Sequence, residues 1–137
     1  METLKIGNFI FEVNKTKTKI THDNRVSATI ECGCGNCKEF NKNRDKIFSK
    51  ELIKLLEKFG LDYKKEDYFA NYGDEANPPY EILYYVKGRI INNNKEDFYI
   101  SSDTHLVFED KDLPKNFLPK GLNSPYFMIS VWFKDTK

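Results

Sequence analysis

All three cysteines of this 137-residue chain fall within one six-residue run, Cys32-Gly33-Cys34-Gly35-Asn36-Cys37. A β-like stretch leads into the run and a helix-like stretch leads out of it. The two glycines therefore sit at a corner that needs backbone freedom. A secreted disulfide framework favours even counts of cysteine spread along the chain, and this pattern fits it poorly. The same run places three sulfur atoms close together.

Three chemistries compete for that run. Zinc favours thiolates, and C-x-C-x2-C supplies three of the four donors that a structural site wants. His22 and His105, the only histidines, are the candidates for the fourth, and a carboxylate could also serve. Zinc fingers carry two separated ligand pairs, and no second pair is present here. Thiol chemistry is the second reading: Cys34 and Cys37 form a C-x-x-C, and Cys37 falls in the first turn of a helix, where the dipole favours thiolate. A thioredoxin-like motif follows the first strand of a βαβ pattern, which this chain lacks, and Cys32 and Cys34 are too close for a relaxed disulfide. On the third reading the cysteines are small buried hydrophobes under the helix.

The surrounding pattern is that of an α+β chain. Ile6 to Val13 reads as a strand. Lys15 to Thr21 alternates lysine with β-branched residues and reads as an edge strand, with Val26 to Glu31 returning beside it. Residues 16–31 are thus expected to form a hairpin that delivers the cysteine turn. Asn36 then caps a helix whose buried face holds Cys37, Phe40, Arg44, Ile47 and Phe48. Ser49 caps a second helix with the stripe Leu52, Ile53, Leu55, Leu56 and Phe59, which Gly60 and Leu61 close. Asp62 to Ala70 reads as a linker and 71–79 as a loop. Tyr80 to Ile91 is the longest strand candidate, with a bulge at Gly88, followed by a turn at Asn92-Asn93-Asn94. Phe98 to Ser101, Thr104 to Glu109 and Tyr126 to Phe133 complete the strands, the last apolar on both faces and so inside the sheet. The expectation is one domain, 1–137, with a single mainly antiparallel sheet of five to seven strands and two consecutive helices on one face.

The run Glu31-Cys32-x-Cys34-x-Asn36-Cys37-Lys38-x-Phe40 resembles a motif of small, uncharacterised bacterial proteins. Phe59-Gly60-Leu61-Asp62, Tyr72-Gly73 and Tyr84-Tyr85-Val86-x-Gly88-Arg89-Ile90 are similar to blocks that follow it there. The resemblance implies a bacterial cytoplasmic protein and brings no activity with it.

Composition narrows the function. Twenty-two Lys and Arg stand against 21 Asp and Glu, a formal charge of +1, so no global field draws nucleic acid or an anionic membrane. No apolar run approaches the roughly 20 residues of a membrane span, and the N-terminus does not read as a secretory signal, which leaves the cytoplasm. Walker and dinucleotide glycine patterns are absent, and Ser101 to His105 is too linear for a triad. Tyr68, Tyr72 and Tyr80 surround a loop and suit a protein-binding surface, since tyrosine offers large area at low entropic loss. These features describe a protein-binding module without catalysis, of an immunity or antitoxin kind, with an unidentified partner. A zinc-stabilised domain using Cys32, Cys34 and Cys37, or a thiol-redox protein using Cys37, are the alternatives.

Overall fold

The segment Tyr80–Asn92 sends Ile82, Tyr84 and Val86 to one side and Leu83, Tyr85 and Lys87 to the other, and the sheet is built around it. The computed structural model describes residues 1–92 and 96–134. The strands are β1 (Glu2–Ile6), β2 (Phe9–Val13), β3 (Tyr68–Asn71), β4 (Tyr80–Asn92), β5 (Phe98–Tyr99), β6 (Thr104–Glu109) and β7 (Tyr126–Phe133). They form one seven-stranded sheet in the order β1-β2-β4-β7-β6-β5, with β3 also pairing β4, and every pairing is antiparallel. β7 lies between β4 and β6, as its apolar character on both faces requires. Strands β3 and β2 share one edge of β4: β3 takes its first residues, Tyr80 to Leu83, and β2 its last, Gly88 to Asn92.

Helices α1 (Lys15–Asp23), α2 (Ala28–Cys32), α3 (Gly35–Ile47) and α4 (Lys50–Lys58) come between β2 and β3. The two consecutive helices expected after the cysteines are α3 and α4. Ser49 Oγ accepts the Leu52 N–H to open α4. At its far end the Leu61 and Gly60 amides donate to the Leu56 and Glu57 carbonyls, closing a Schellman motif. Phe40, Leu52, Leu56 and Phe59 join Phe11, Tyr84, Val86, Phe127 and Ile129 in the main core. Each large side chain so buried contributes roughly 1.5–3 kcal/mol before entropy is subtracted. On the opposite face Leu83, Tyr85 and Met128 are covered by Leu113, Phe117, Leu118 and Leu122 from the segment before β7.

Three expectations require correction, besides that of a linker at Asp62 to Ala70, whose end is strand β3 (Tyr68–Asn71). The strand at Ile6 to Val13 is a hairpin of two strands turning at Gly7 and Asn8. The hairpin at residues 16–31 does not form: Lys15–Asp23 is α1, and Ala28–Cys32 is α2. Asn14 caps α1 through Oδ1 to the Lys17 N–H, and the stripe that α1 buries is Thr18, Thr21 and His22. A helical face made of polar residues carries no hydrophobic period, so the lysine–threonine alternation reads as a strand. The third correction concerns Gly88: the register shift between β2 and β4 lies at Ile10/Phe11, not at that glycine. Of the turn expected at Asn92-Asn93-Asn94, Asn92 ends β4, and Asn93 and Asn94 lie outside the described residues.

Gly88 has a different role. Its φ is +148°, and an added Cβ would meet the Glu12 carbonyl oxygen at 2.0 Å. It lets β2 and β4 approach where Val13, the last residue of β2, pairs with Gly88. Gly88→Ala is therefore expected to lower stability by on the order of 3 kcal/mol. Urea unfolding checks this, and an unchanged midpoint would refute the close approach.

Candidate functional site

The corner that carries the cysteines is built by two capping events. Ser27 Oγ accepts the Ile30 N–H and starts α2, and Gly33, in the left-handed region at φ +63°, ends it. That reversal takes the chain directly into α3, whose N-cap is Cys34 and not Asn36. The Cys37 N–H donates to Cys34 Sγ at 3.4 Å. A sulfur thus stands where serine or aspartate ordinarily accepts. The last residue of α2, the cap of α3 and the first turn of α3 bring Cys32, Cys34 and Cys37 together. Their sulfur atoms all lie within 4.8 Å of one another.

The three sulfurs are not equivalent. Cys32 and Cys34 are exposed, whereas Cys37 is 6% exposed. The Cys37 amide, followed by hydrogen bonding among the thiols, lowers the Cys34 pKa to about 7. Burial, reinforced by hydrogen bonds to Cys34 and Cys32, pushes Cys37 up to about 12. The expectation that the helix dipole activates Cys37 is thereby corrected. The Cys37 amide acts on the sulfur of the cap residue, while the side chain in the first turn is desolvated.

A cleft of about 360 Å³ opens beside the cysteines, lined in part by Arg25, Glu31, Cys32, Cys37, Asp67 and Phe117. A larger groove of about 470 Å³ between α1 and α4 holds none of the cysteines or buried acids. Behind the cleft lies a polar network that sequence reasoning missed. Glu66 and Asp67, in a segment that reads as a linker, are both 0% exposed. Arg44 reaches Glu66 Oε1 at 2.6 Å and also donates to Asn41, Thr29 and the Tyr63 carbonyl. Thr29 adds its hydroxyl to Glu66, and the Ala28 amide donates to the Glu66 carbonyl. Burial raises the Glu66 pKa, with Arg44 and Thr29 opposing it.

Asp67 Oδ2 accepts from the Tyr85 amide and meets His22 Nε2, each at 2.8 Å. His22 Nδ1 faces the Thr18 carbonyl at 2.8 Å. Two acceptors confront the two ring nitrogens, so the geometry suits the imidazolium. Burial opposes that charge most strongly, but the Asp67 hydrogen bond and charge, together with the Thr18 carbonyl, outweigh it and raise the His22 pKa. Arg25 Nη1 lies 3.0 Å from Asp67 Oδ1, yet that oxygen has no hydrogen-bond partner among the described residues. The one signal available in sequence was a histidine, an arginine and an Asp-Glu pair among aromatics. Nothing in spacing joins residues 22, 44 and 67.

The remaining predicted site residues are dispersed. His22 is occupied by Thr18 and Asp67, and His105 stands on β6 with Asp97 at 3.7 Å and Trp132 stacked beside it. Among the described residues, the potential metal ligands grouped at the corner are the three cysteines. Tyr80 packs with Phe133 in the main core, and Tyr68 stacks on Phe117 in the smaller cluster across the sheet. Tyr72, 52% exposed, stacks on Trp132 and donates to Glu81. Tyr80 thus faces the main core, while Tyr68 and Tyr72 lie on the opposite face of the sheet. No described helix is long and apolar enough to cross a membrane. Comparison with protein-family models, curated proteins and solved structures found no match.

Two outcomes follow from this geometry. Arg44→Ala leaves the Glu66 carboxylate buried without its cation, at an expected cost of about 3–5 kcal/mol measured by urea unfolding. A loss under about 1 kcal/mol, the scale of an exposed pair, would mean that the pair is solvated. In native protein, alkylation should be fastest at Cys34, with a rate that rises through about pH 7. Cys37 should stay protected until unfolding. Peptide mapping after timed iodoacetamide treatment checks both, and early labelling of Cys37 would contradict the burial.

Proposed function

We propose that the corner binds a thiophilic divalent cation, Zn²⁺ by preference, through the sulfurs of Cys32, Cys34 and Cys37. The observation that carries this reading is the convergence of the three Sγ atoms to within 4.8 Å. Sulfurs about 2.3 Å from a tetrahedral zinc stand about 3.8 Å apart, so modest side-chain rotation would complete the set. A Cys34 thiol already near half ionisation at about pH 7 reduces the proton release that metal binding demands. Three protein donors leave the fourth position to water or to a donor from outside the chain. Bound there, the ion would tie the end of α2 to the start of α3. A reducing compartment such as the cytoplasm would keep the three thiols available.

Protein purified without a metal-binding tag should contain about one equivalent of zinc per chain, and chelation should lower its melting midpoint by roughly 5 °C or more. Cys32→Ser and Cys34→Ser should each lose most of the metal. Elemental analysis and thermal melts read both results. A metal-free preparation whose melt does not respond to added zinc would remove the reading.

A further inference from the structure

The geometry points to a second activity at this corner, one that does not depend on zinc: we propose that Cys34 and Cys37 form a dithiol pair that exchanges with low-molecular-weight disulfides. Access decides the order of events. Cys34 is exposed, and the Cys37 amide donates to its sulfur, stabilising charge there both when it attacks and when it leaves. Cys37 is buried, so an external disulfide does not reach it first, yet its sulfur lies within 4.8 Å of Cys34 Sγ. Cys34 caps the 13-residue α3 and Cys37 lies in its first turn, the spacing at which a cap side chain meets the helix that it caps. Cys32 and Cys34, by contrast, are separated only by Gly33, and a relaxed disulfide needs Cβ atoms about 3.5–4.5 Å apart with a specific dihedral.

The reaction balances in two displacements. The Cys34 thiolate attacks one sulfur of R–S–S–R; that S–S bond breaks, and one R–S⁻ departs and takes up a proton from solvent. Cys34 is left as a mixed disulfide with R–S. Cys37 then gives its proton to water or to the departing thiolate and attacks Cys34 Sγ, and the second R–S⁻ leaves. Two protein thiols have been oxidised by two electrons to one disulfide, and R–S–S–R has been reduced to two R–SH.

The test uses the reduced, chelator-treated 137-residue chain exposed to oxidised glutathione, then alkylated. Trypsin releases all three cysteines in the single peptide 26–38, and fragmentation locates each modification. In the native sequence the expected product is a Cys34–Cys37 disulfide with the alkyl label on Cys32 alone. Cys37→Ser should accumulate glutathione on Cys34, and Cys34→Ser should lose both the adduct and the internal disulfide. If Cys37→Ser fails to fold, the position of the label in the native sequence decides the matter. A label on Cys34 or Cys37 after oxidation, a lasting glutathione adduct without internal closure, or three thiols all labelled would each overturn the proposal. Because the protein is metal-free throughout, these outcomes are independent of the zinc measurement.

Discussion

Two consecutive buried carboxylates, Glu66 and Asp67, set the terms on which the helical half of this protein packs. Removing a carboxylate from water costs several kcal/mol even after relaxation, so each must find cations and donors. Glu66 draws in Thr29 and Arg44, and Asp67 draws in His22, the Tyr85 amide and the charge of Arg25. The partners of the first lie on α2 and α3; those of the second lie on α1, the α1–α2 connection and β4. A short segment without regular structure thereby fixes three helices against the sheet. The apolar core beneath α3 and α4 supplies the larger share of favourable burial, but it is non-directional. Charge pairing adds direction, because each acid meets named partners on particular helices.

The cysteine corner inherits its geometry from that network. Thr29 sits one turn before Cys32, and Arg44 lies two turns beyond Cys37 on α3. Both grip Glu66, and Arg44 also donates to Thr29, so the relative position of α2 and α3 is held by hydrogen bonds. Gly33 then turns the chain tightly enough for a cysteine to cap α3. A thiol in that position is polarised by amides, while its neighbour one turn on is desolvated. One local backbone arrangement thus places Cys34 and Cys37, chemically identical groups, in opposite surroundings.

Much of the scaffold was legible in the chain. The stripe Leu52, Leu55, Leu56 and Phe59 with its Ser49 cap defines α4, and the alternation at residues 80–86 assigns each side chain to the correct face. Such elements bury apolar residues at a regular period, which is the signal that sequence carries most plainly. Helix α1 was not legible, because the face it buries is Thr18, Thr21 and His22. Their hydroxyls and ring bond to carbonyls and to a carboxylate 45 residues away. That compensation is invisible without the partners. The linker expected at residues 62–70 misled for the same reason: acidic residues next to lysines look solvated until the cations of other elements are placed around them.

The sequence by itself determined that three sulfurs would be near one another, since six residues cannot separate them far, and that an amphipathic helix and an antiparallel sheet would share one apolar core. Only the tertiary structure decided which sulfur is exposed, which is buried and which caps a helix. It also gave both histidines partners other than the cysteines, Asp67 for His22 and Trp132 for His105. Local spacing encodes proximity and period; burial and charge pairing depend on what the rest of the chain brings to the same place.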